Sequence, residues 1–259
     1  MEKLLENKTI LVAGAGGLLG SKIIPEALKQ GAKVIAADID LESMEKRLLE
    51  LGIDATQTQL TLEALDVTCE SDLKSFFTRL DKVDKVDGVV NATYPRNKTY
   101  GKHFFDVSLA SFNENLSLHL GSAFLFTQQC AKYFNQHIAP LSLVNISSIY
   151  GVVAPKFNVY DNTSMTMPVE YAAIKAAIQH LSKYAAAYVG DSRFRVNCVS
   201  PGGILDRQPE EFLESYRAQT HGCGMLDVED VLGSILFLLS DQSRYMTGQN
   251  LVVDDGFSL

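Results

Sequence analysis

The stretch Thr9-Ile10-Leu11-Val12-Ala13-Gly14-Ala15-Gly16-Gly17-Leu18-Leu19-Gly20 decides the fold. Its first five residues, apolar or β-branched, suit a short strand buried on both faces. A glycine turn follows at once, and after it an amphipathic stretch over Leu18–Gln30 that reads as a helix. Glycine permits the sharp turn and lets backbone N–H groups approach a pyrophosphate held at the positive end of that helix. The spacing Gly14-x-x-Gly17-x-x-Gly20 is a variant of the GxGxxG dinucleotide fingerprint. Taken alone it fits a flexible turn as well, so the surroundings decide.

Outward from this turn, short apolar runs alternate with longer amphipathic ones. Candidate strands are Thr9–Ala13, Lys33–Asp38, Gln59–Asp66, Gly88–Asn91, Ser142–Ser147, Arg195–Ser200 and Asn250–Val253. Between them lie candidate helices Leu18–Gln30, Leu41–Leu51, Glu70–Asp81, Ser108–Phe134, Val169–Val189 and Val228–Ser240. Such alternation predicts βαβ units in an α/β fold, a three-layer doubly wound Rossmann architecture around a seven-stranded parallel sheet. No linker, repeat or low-complexity tract divides the chain, which predicts one domain over 1–259. Two segments break the rhythm, Tyr94–Asp106 and Gly151–Pro168. Both would follow C-terminal strand ends, where ligands bind in an open α/β sheet. The second exceeds the ~12–15 residues of ordinary connections, a length often tied to function.

Composition narrows the partners. With 31 acidic and 23 basic residues the net charge is −8, which argues against nucleic acid as a partner. No apolar run reaches the ~18 residues of a membrane span. The acidic start Met1-Glu2-Lys3-Leu4-Leu5-Glu6 does not read as a secretory signal. Cys69, Cys130, Cys198 and Cys223 lie far apart without a CxxC pair, and no HExxH spacing occurs. Reduced thiols, a cytoplasmic location and no structural metal are therefore expected.

Asp38 ends the second strand, where a carboxylate accepts hydrogen bonds from both ribose hydroxyls and repels a 2′-phosphate. NAD(H) is thus favoured over NADP(H), although an aspartate here also serves as a helix cap. Asp66 ends the third strand, in Asp66-Val67, and could meet an adenine amino group or cap the next helix. Tyr171 and Lys175 stand one helical turn apart on a common face. A free phenol titrates near ~10, so acid/base work at neutral pH needs about 4 kcal/mol of help. A nearby ammonium has the right sign. A solvated surface pair would be the ordinary reading, but the pair follows the strand end Val144-Asn145-Ile146-Ser147-Ser148. A Ser148 hydroxyl there can orient a substrate carbonyl.

Together these residues resemble the short-chain dehydrogenase/reductase family over essentially the whole chain. The matching pieces, in order, are the Gly14–Gly20 loop, Asp38, Asp66-Val67, Asn91-Ala92, Asn145-Ile146-Ser147-Ser148, Tyr171 with Lys175, Asn197, Pro201-Gly202 and the ending Thr247–Gly256. The resemblance implies hydride exchange between a nicotinamide and a substrate carbon, with Tyr171 giving or taking the proton. It implies that Lys175 binds the nicotinamide ribose and lowers the tyrosine pKa, and that Ser148 holds the reacting oxygen. Gly14, Gly17, Leu19 and Gly20 would surround the pyrophosphate. Asn91 and Ala92 would line the adenosine ribose, and Pro201, Gly202 and Ile204 would pack against the carboxamide.

The departures from the family pattern are also informative. His119 stands where the family's catalytic asparagine is usual; it could relay protons with a pKa near ~6.5, or merely fill the space. Leu18 replaces a loop glycine, Thr93-Tyr94 replaces Ala-Gly, and Asp206 stands near an expected threonine. The interval from Ser148 to Tyr171 is lengthened by Pro155–Met167, which could line or cover a substrate. This insertion and the loop Tyr94–Lys98 are similar to oxidoreductases of flagellin modification and surface-sugar pathways. A small polar, sugar-derived substrate is then expected, with Arg96, Lys98, Lys102 and Arg207 as candidates to meet its charge. A 3-ketoacyl-type reductase and a non-catalytic NAD-binding protein are the alternatives. Apolar residues around much of Ser108–Phe134 and Val169–Val189 need a second surface, and the family pairs such helices, which implies a homodimer or homotetramer.

Overall fold

Parallel strands buried on both faces must be apolar throughout, and the first strand shows the consequence. In the computed structural model, which describes residues 3–81 and 85–259, every residue of β1 (Thr9–Ala13) is buried. Met1 and Glu2 of the acidic start lie outside the described residues. Ile10 and Val12 feed one apolar layer, with Ile23, Ile24, Val231 and Ile235, while Leu11 and Ala13 feed the other, with Phe76, Phe126 and Phe134. That alternation is the period of two of a strand sandwiched between helices.

The remaining strands are β2 (Lys33–Asp38), β3 (Leu60–Ala64), β4 (Gly88–Asn91), β5 (Leu141–Ile146), β6 (Phe194–Pro201) and β7 (Asn250–Val253). All pair in parallel, in the order β3-β2-β1-β4-β5-β6-β7. Helices α1 (Gly20–Lys29), α2 (Leu41–Glu50), α3 (Glu70–Leu80), α4 (Leu109–Asn115), α5 (Ser122–His137), α6 (Val169–Val189), α7 (Glu210–Arg217) and α8 (Val228–Leu239) cover the faces and edges. Strand order reverses between β1 and β4, whose register runs Ile10↔Gly88 to Ala13↔Asn91. Connections leave these two strands in opposite directions and open a crevice at their C-terminal ends.

Two expectations need correction. The single helix over Ser108–Phe134 is interrupted: α4 and α5 flank a π-helical turn at Leu116–Gly121. Such a turn adds one residue to a hydrogen-bonded loop, and apolar periodicity does not register a single added residue. Helix α7 was not anticipated at all. It is only eight residues long and buries just Phe212 and Tyr216.

Candidate active site

The crevice is a cleft of about 880 Å³ reaching from the glycine turn, past Ser148 and Tyr171, to α7. Its near end is built on close backbone approach. Gly14 has φ +77, and a Cβ there would lie 2.8 Å from the backbone of Ala92. A Cβ on Gly20 would lie 2.0 Å from the carbonyl oxygen of Gly14, so helix α1 can start against the turn only with glycine there. Gly14, Gly17, Leu18 and Leu19 line the cleft, whereas Gly20 acts behind it, through packing.

Asp38 folds toward this turn. Its Oδ2 accepts from Gly16 N at 2.8 Å and its Oδ1 from Asp40 N at 3.3 Å, and the residue lines the cleft wall. Asp66 and Val67 line it too, but Asp66 is partly committed: its Oδ1 accepts from the backbone and hydroxyl of Thr68 at 2.9 and 2.6 Å. Ala92 reaches the cleft, while Asn91 stays behind it, bonded to Asn145 and Thr93. Pro201, Gly202 and Ile204 form part of the far wall, tied by Gly202 N to Val253 O at 2.8 Å and by Gly203 N to the Tyr216 hydroxyl at 2.6 Å. The cleft therefore fits a dinucleotide: a side-chain-free turn lies at one end and a carboxylate beside it.

Ser148, Tyr171 and Lys175 meet at the middle of the cleft. Ser148 follows β5 and begins the turn Ile149–Gly151, its Oγ accepting from Tyr150 N at 3.2 Å. Gln179, one helical turn beyond Lys175, clamps this region by donating to Ser147 Oγ (3.0 Å), Ser148 O (3.3 Å) and Ser200 Oγ (3.2 Å). Lys175 is buried and donates to Ile146 O at 2.9 Å. Burial lowers its pKa to about 8. The Tyr171 phenol is pushed up by burial, with a hydrogen bond to Ser148 pulling the other way. Burial outweighs that bond, and Lys175 Nζ lies 5.5 Å from the centroid of the Tyr171 ring. Desolvation governs both groups, each of which disfavours charge when water is excluded.

His119 sits in the π-helical turn, 3% exposed and off the cleft wall. Burial, with the charges of Lys175 and Arg96 acting in the same direction, holds its imidazole down to about 2. The ring is held neutral, its pKa well below the ~6.5 of an unperturbed imidazole.

The residue that sequence reasoning passed over is Tyr94. Its ring lies 5.6 Å from that of Tyr171, 5.1 Å from that of His119 and 5.6 Å from Lys175 Nζ. It stands where the family pattern has glycine, and that substitution was the available signal. The insertion lines the cleft with part of its length. Asn158, Asp161 and Asn162 face outward, while Tyr160, Met165, Thr166 and Met167 face the cleft with Tyr150, Phe212 and Met225. Of the four basic candidates, Arg96 alone lines the cleft; Lys98, Lys102 and Arg207 do not. No group of three or more potential metal-ligating side chains occurs among the described residues. No helix among them is long and apolar enough to cross a membrane.

Comparisons with known proteins agree with this geometry. A family model described as enoyl-(acyl carrier protein) reductase matches residues 14–258. Post-translational flagellin modification protein A of Campylobacter coli is 41% identical over 258 residues, covering 99% of this chain and 100% of that protein. The 7alpha-hydroxysteroid dehydrogenase of Bacteroides fragilis is 28% identical, over 98% of this chain and 95% of its own. A solved short-chain dehydrogenase from Leptospira borgpetersenii with bound NAD+ is 30% identical and superposes with a TM-score of 0.87, over 100% of this chain and 95% of that one.

Proposed function

The chain belongs to the short-chain dehydrogenase/reductase family of nicotinamide-dependent oxidoreductases, and from that premise we propose that it acts on a hydroxyl or carbonyl of a small, sugar-derived substrate with NAD(H) as its cofactor. The observation that carries the reading is one cleft holding both the glycine turn with Asp38 and the group Ser148, Tyr171 and Lys175. When bound, the cofactor supplies the hydride donor or acceptor. Gly14, Gly17 and Leu19 would surround its pyrophosphate, with Gly20 seating the helix behind them. Asp38, Asp66, Val67 and Ala92 would serve its adenosine half, with Asn91 holding the wall behind Ala92 through its bonds to Asn145 and Thr93, and Pro201, Gly202 and Ile204 would serve its carboxamide.

Tyr171 donates or accepts the proton on the reacting oxygen and Ser148 orients that oxygen, while Lys175 would hold the nicotinamide ribose. His119, being neutral, supports the site by packing on Tyr94 rather than as a cation. Preference for NAD(H) is supported by the adenosine end of the cleft, which is lined by Asp38, Asp40 and Asp66 and by no lysine or arginine among the described residues. A sugar-derived substrate is supported by the flagellin-modification relative and by tyrosines that offer both a ring face and a hydroxyl.

The test is hydride exchange between NAD(H) and a panel of sugar phosphates and nucleotide sugars, wild type against Tyr171→Phe. The variant should lose about 10²–10⁴ in kcat while binding NADH normally. Wild type and variant equally inactive across the panel, with NADH still bound, would favour a non-catalytic NAD-binding role.

A second reading, a 3-ketoacyl-type reductase, draws on Met165, Met167, Met225 and Phe212 along the cleft; activity on acyl thioesters in the same assay separates the two. A homodimer or homotetramer is supported by Phe124 on α5 (47% exposed) and by the stacked, exposed pair Tyr184 and Tyr188 on α6. Light scattering at micromolar concentration tests it, and a monomer would refute it. Four unpaired cysteines accord with a cytoplasmic location.

A further inference from the structure

Arg96, an exposed residue, stands on the cleft wall. Its Cζ lies 4.8 Å from the centroid of Tyr94, the ring that also borders Tyr171. Among the described residues it makes no ion pair and no hydrogen bond. The chain has an excess of carboxylates, and some surface cations pair with them, as Lys8 does with Asp241 and Lys22 with Glu229. None of the carboxylates on the cleft wall, Asp38, Asp40, Asp66 and Asp206, makes an ion pair with Arg96, and neither does Glu170, which is buried near Tyr94.

The other cation of the cleft, Lys175, is already bonded to Ile146 O. His119 is neutral. The reactive end of the cleft therefore presents one uncommitted positive fork, steadied on an aromatic face. A guanidinium so placed matches a carboxylate or phosphate through two parallel charge-assisted hydrogen bonds.

We propose that Arg96 binds an oxyanion carried by the substrate, a carboxylate or a phosphate ester, and so selects acidic hydroxy or keto compounds over neutral ones. The proposal rests on the dehydrogenase reading above and names the substrate class within it.

The experiment uses the full-length protein saturated with NADH. Malonate and inorganic phosphate are titrated separately and followed by NADH fluorescence, with glycerol as the neutral control. At least one anion should bind, glycerol should not, and Arg96→Ala should weaken that anion by about tenfold or more. Arg96→Lys should restore part of the loss, because it returns the charge but not the fork. Tighter malonate binding points to a carboxylate, tighter phosphate binding to a phosphate ester. NADH affinity in the absence of anion should be unchanged by Arg96→Ala. Failure of both anions to bind the wild-type complex, or equal binding to Arg96→Ala, overturns the proposal. Failure of wild type to bind NADH, seen before any anion is added, overturns the dehydrogenase reading and the proposal with it.

Discussion

Gly151 and Lys175 meet backbone to backbone: a Cβ on Gly151 would lie 2.7 Å from the carbonyl carbon of Lys175 and 2.6 Å from Nε2 of Gln179. The turn containing Gly151 starts at Ser148, so this contact sets how far Ser148 stands from Tyr171 on the same helix. Gly151→Ala must push the turn off α6. Displacement of a reacting group by about 1 Å can lower kcat by about 10²-fold. We expect a loss of that order with the substrate found in the screen, together with unchanged NADH affinity. The overpacking should also destabilise the fold by about 1–3 kcal/mol. Steady-state kinetics and an NADH titration check the split; a parallel loss of NADH binding would contradict it.

His119 should not titrate in the physiological range, because burial holds it down to about 2. Its C2–H resonance, assigned through His119→Asn, is expected to stay in the neutral position from pH 8 down to pH 4. The same variant should leave the acid limb of kcat/KM where it is. A transition near pH 6.5 that disappears in His119→Asn would show that the imidazole is wetter than its position implies.

Lys175 makes stability depend on pH with a definite sign. Its pKa falls from an ordinary value of 10.5 to about 8 in the folded protein, so between those values the unfolded chain binds more protons. Stability from this group therefore rises with pH across that window. Below about pH 8 the buried ammonium destabilises the fold by its full amount, about 3 kcal/mol. In urea denaturation without cofactor, Lys175→Met should exceed wild type in stability at pH 7, less whatever is lost by leaving Ile146 O unbonded. That advantage should shrink as pH approaches 10. A pH-independent difference would place the ammonium in a polar surrounding.

Asp38 accepts from Gly16 N and Asp40 N, which aims its carboxylate along the glycine turn. Asp38→Asn removes the charge but keeps the shape. NADH should bind more weakly and NADPH more strongly, shifting their affinity ratio by about tenfold or more. Fluorescence titration of both nucleotides measures it, and an unchanged ratio would mean that another part of the cleft sets the preference.

Much of the architecture was legible before any coordinates. Strands Thr9–Ala13, Lys33–Asp38, Gly88–Asn91 and Asn250–Val253 and helix Val169–Val189 begin and end where the apolar patterning places them. The expected β3, Gln59–Asp66, shortens to Leu60–Ala64, and the long helix through His119 breaks into three parts. Tyr171 and Lys175 were found because their pairing needs only the helical repeat. Tyr94 was not, because what it touches depends on where β4, α6 and the π-helical turn converge.

By itself, then, the sequence determined what short-range rules govern: which runs are buried on both sides, where a turn tolerates no side chain, and which residues share a helical face. Tertiary structure alone decided the rest. It turned Tyr160, Met165, Thr166 and Met167 of the insertion toward the cleft, left one of four basic residues facing it, kept His119 uncharged and, by burial, raised the Tyr171 phenol. Those outcomes follow from distances between segments far apart in the chain and from the exclusion of water among them. Neither quantity is carried by any local pattern of residues.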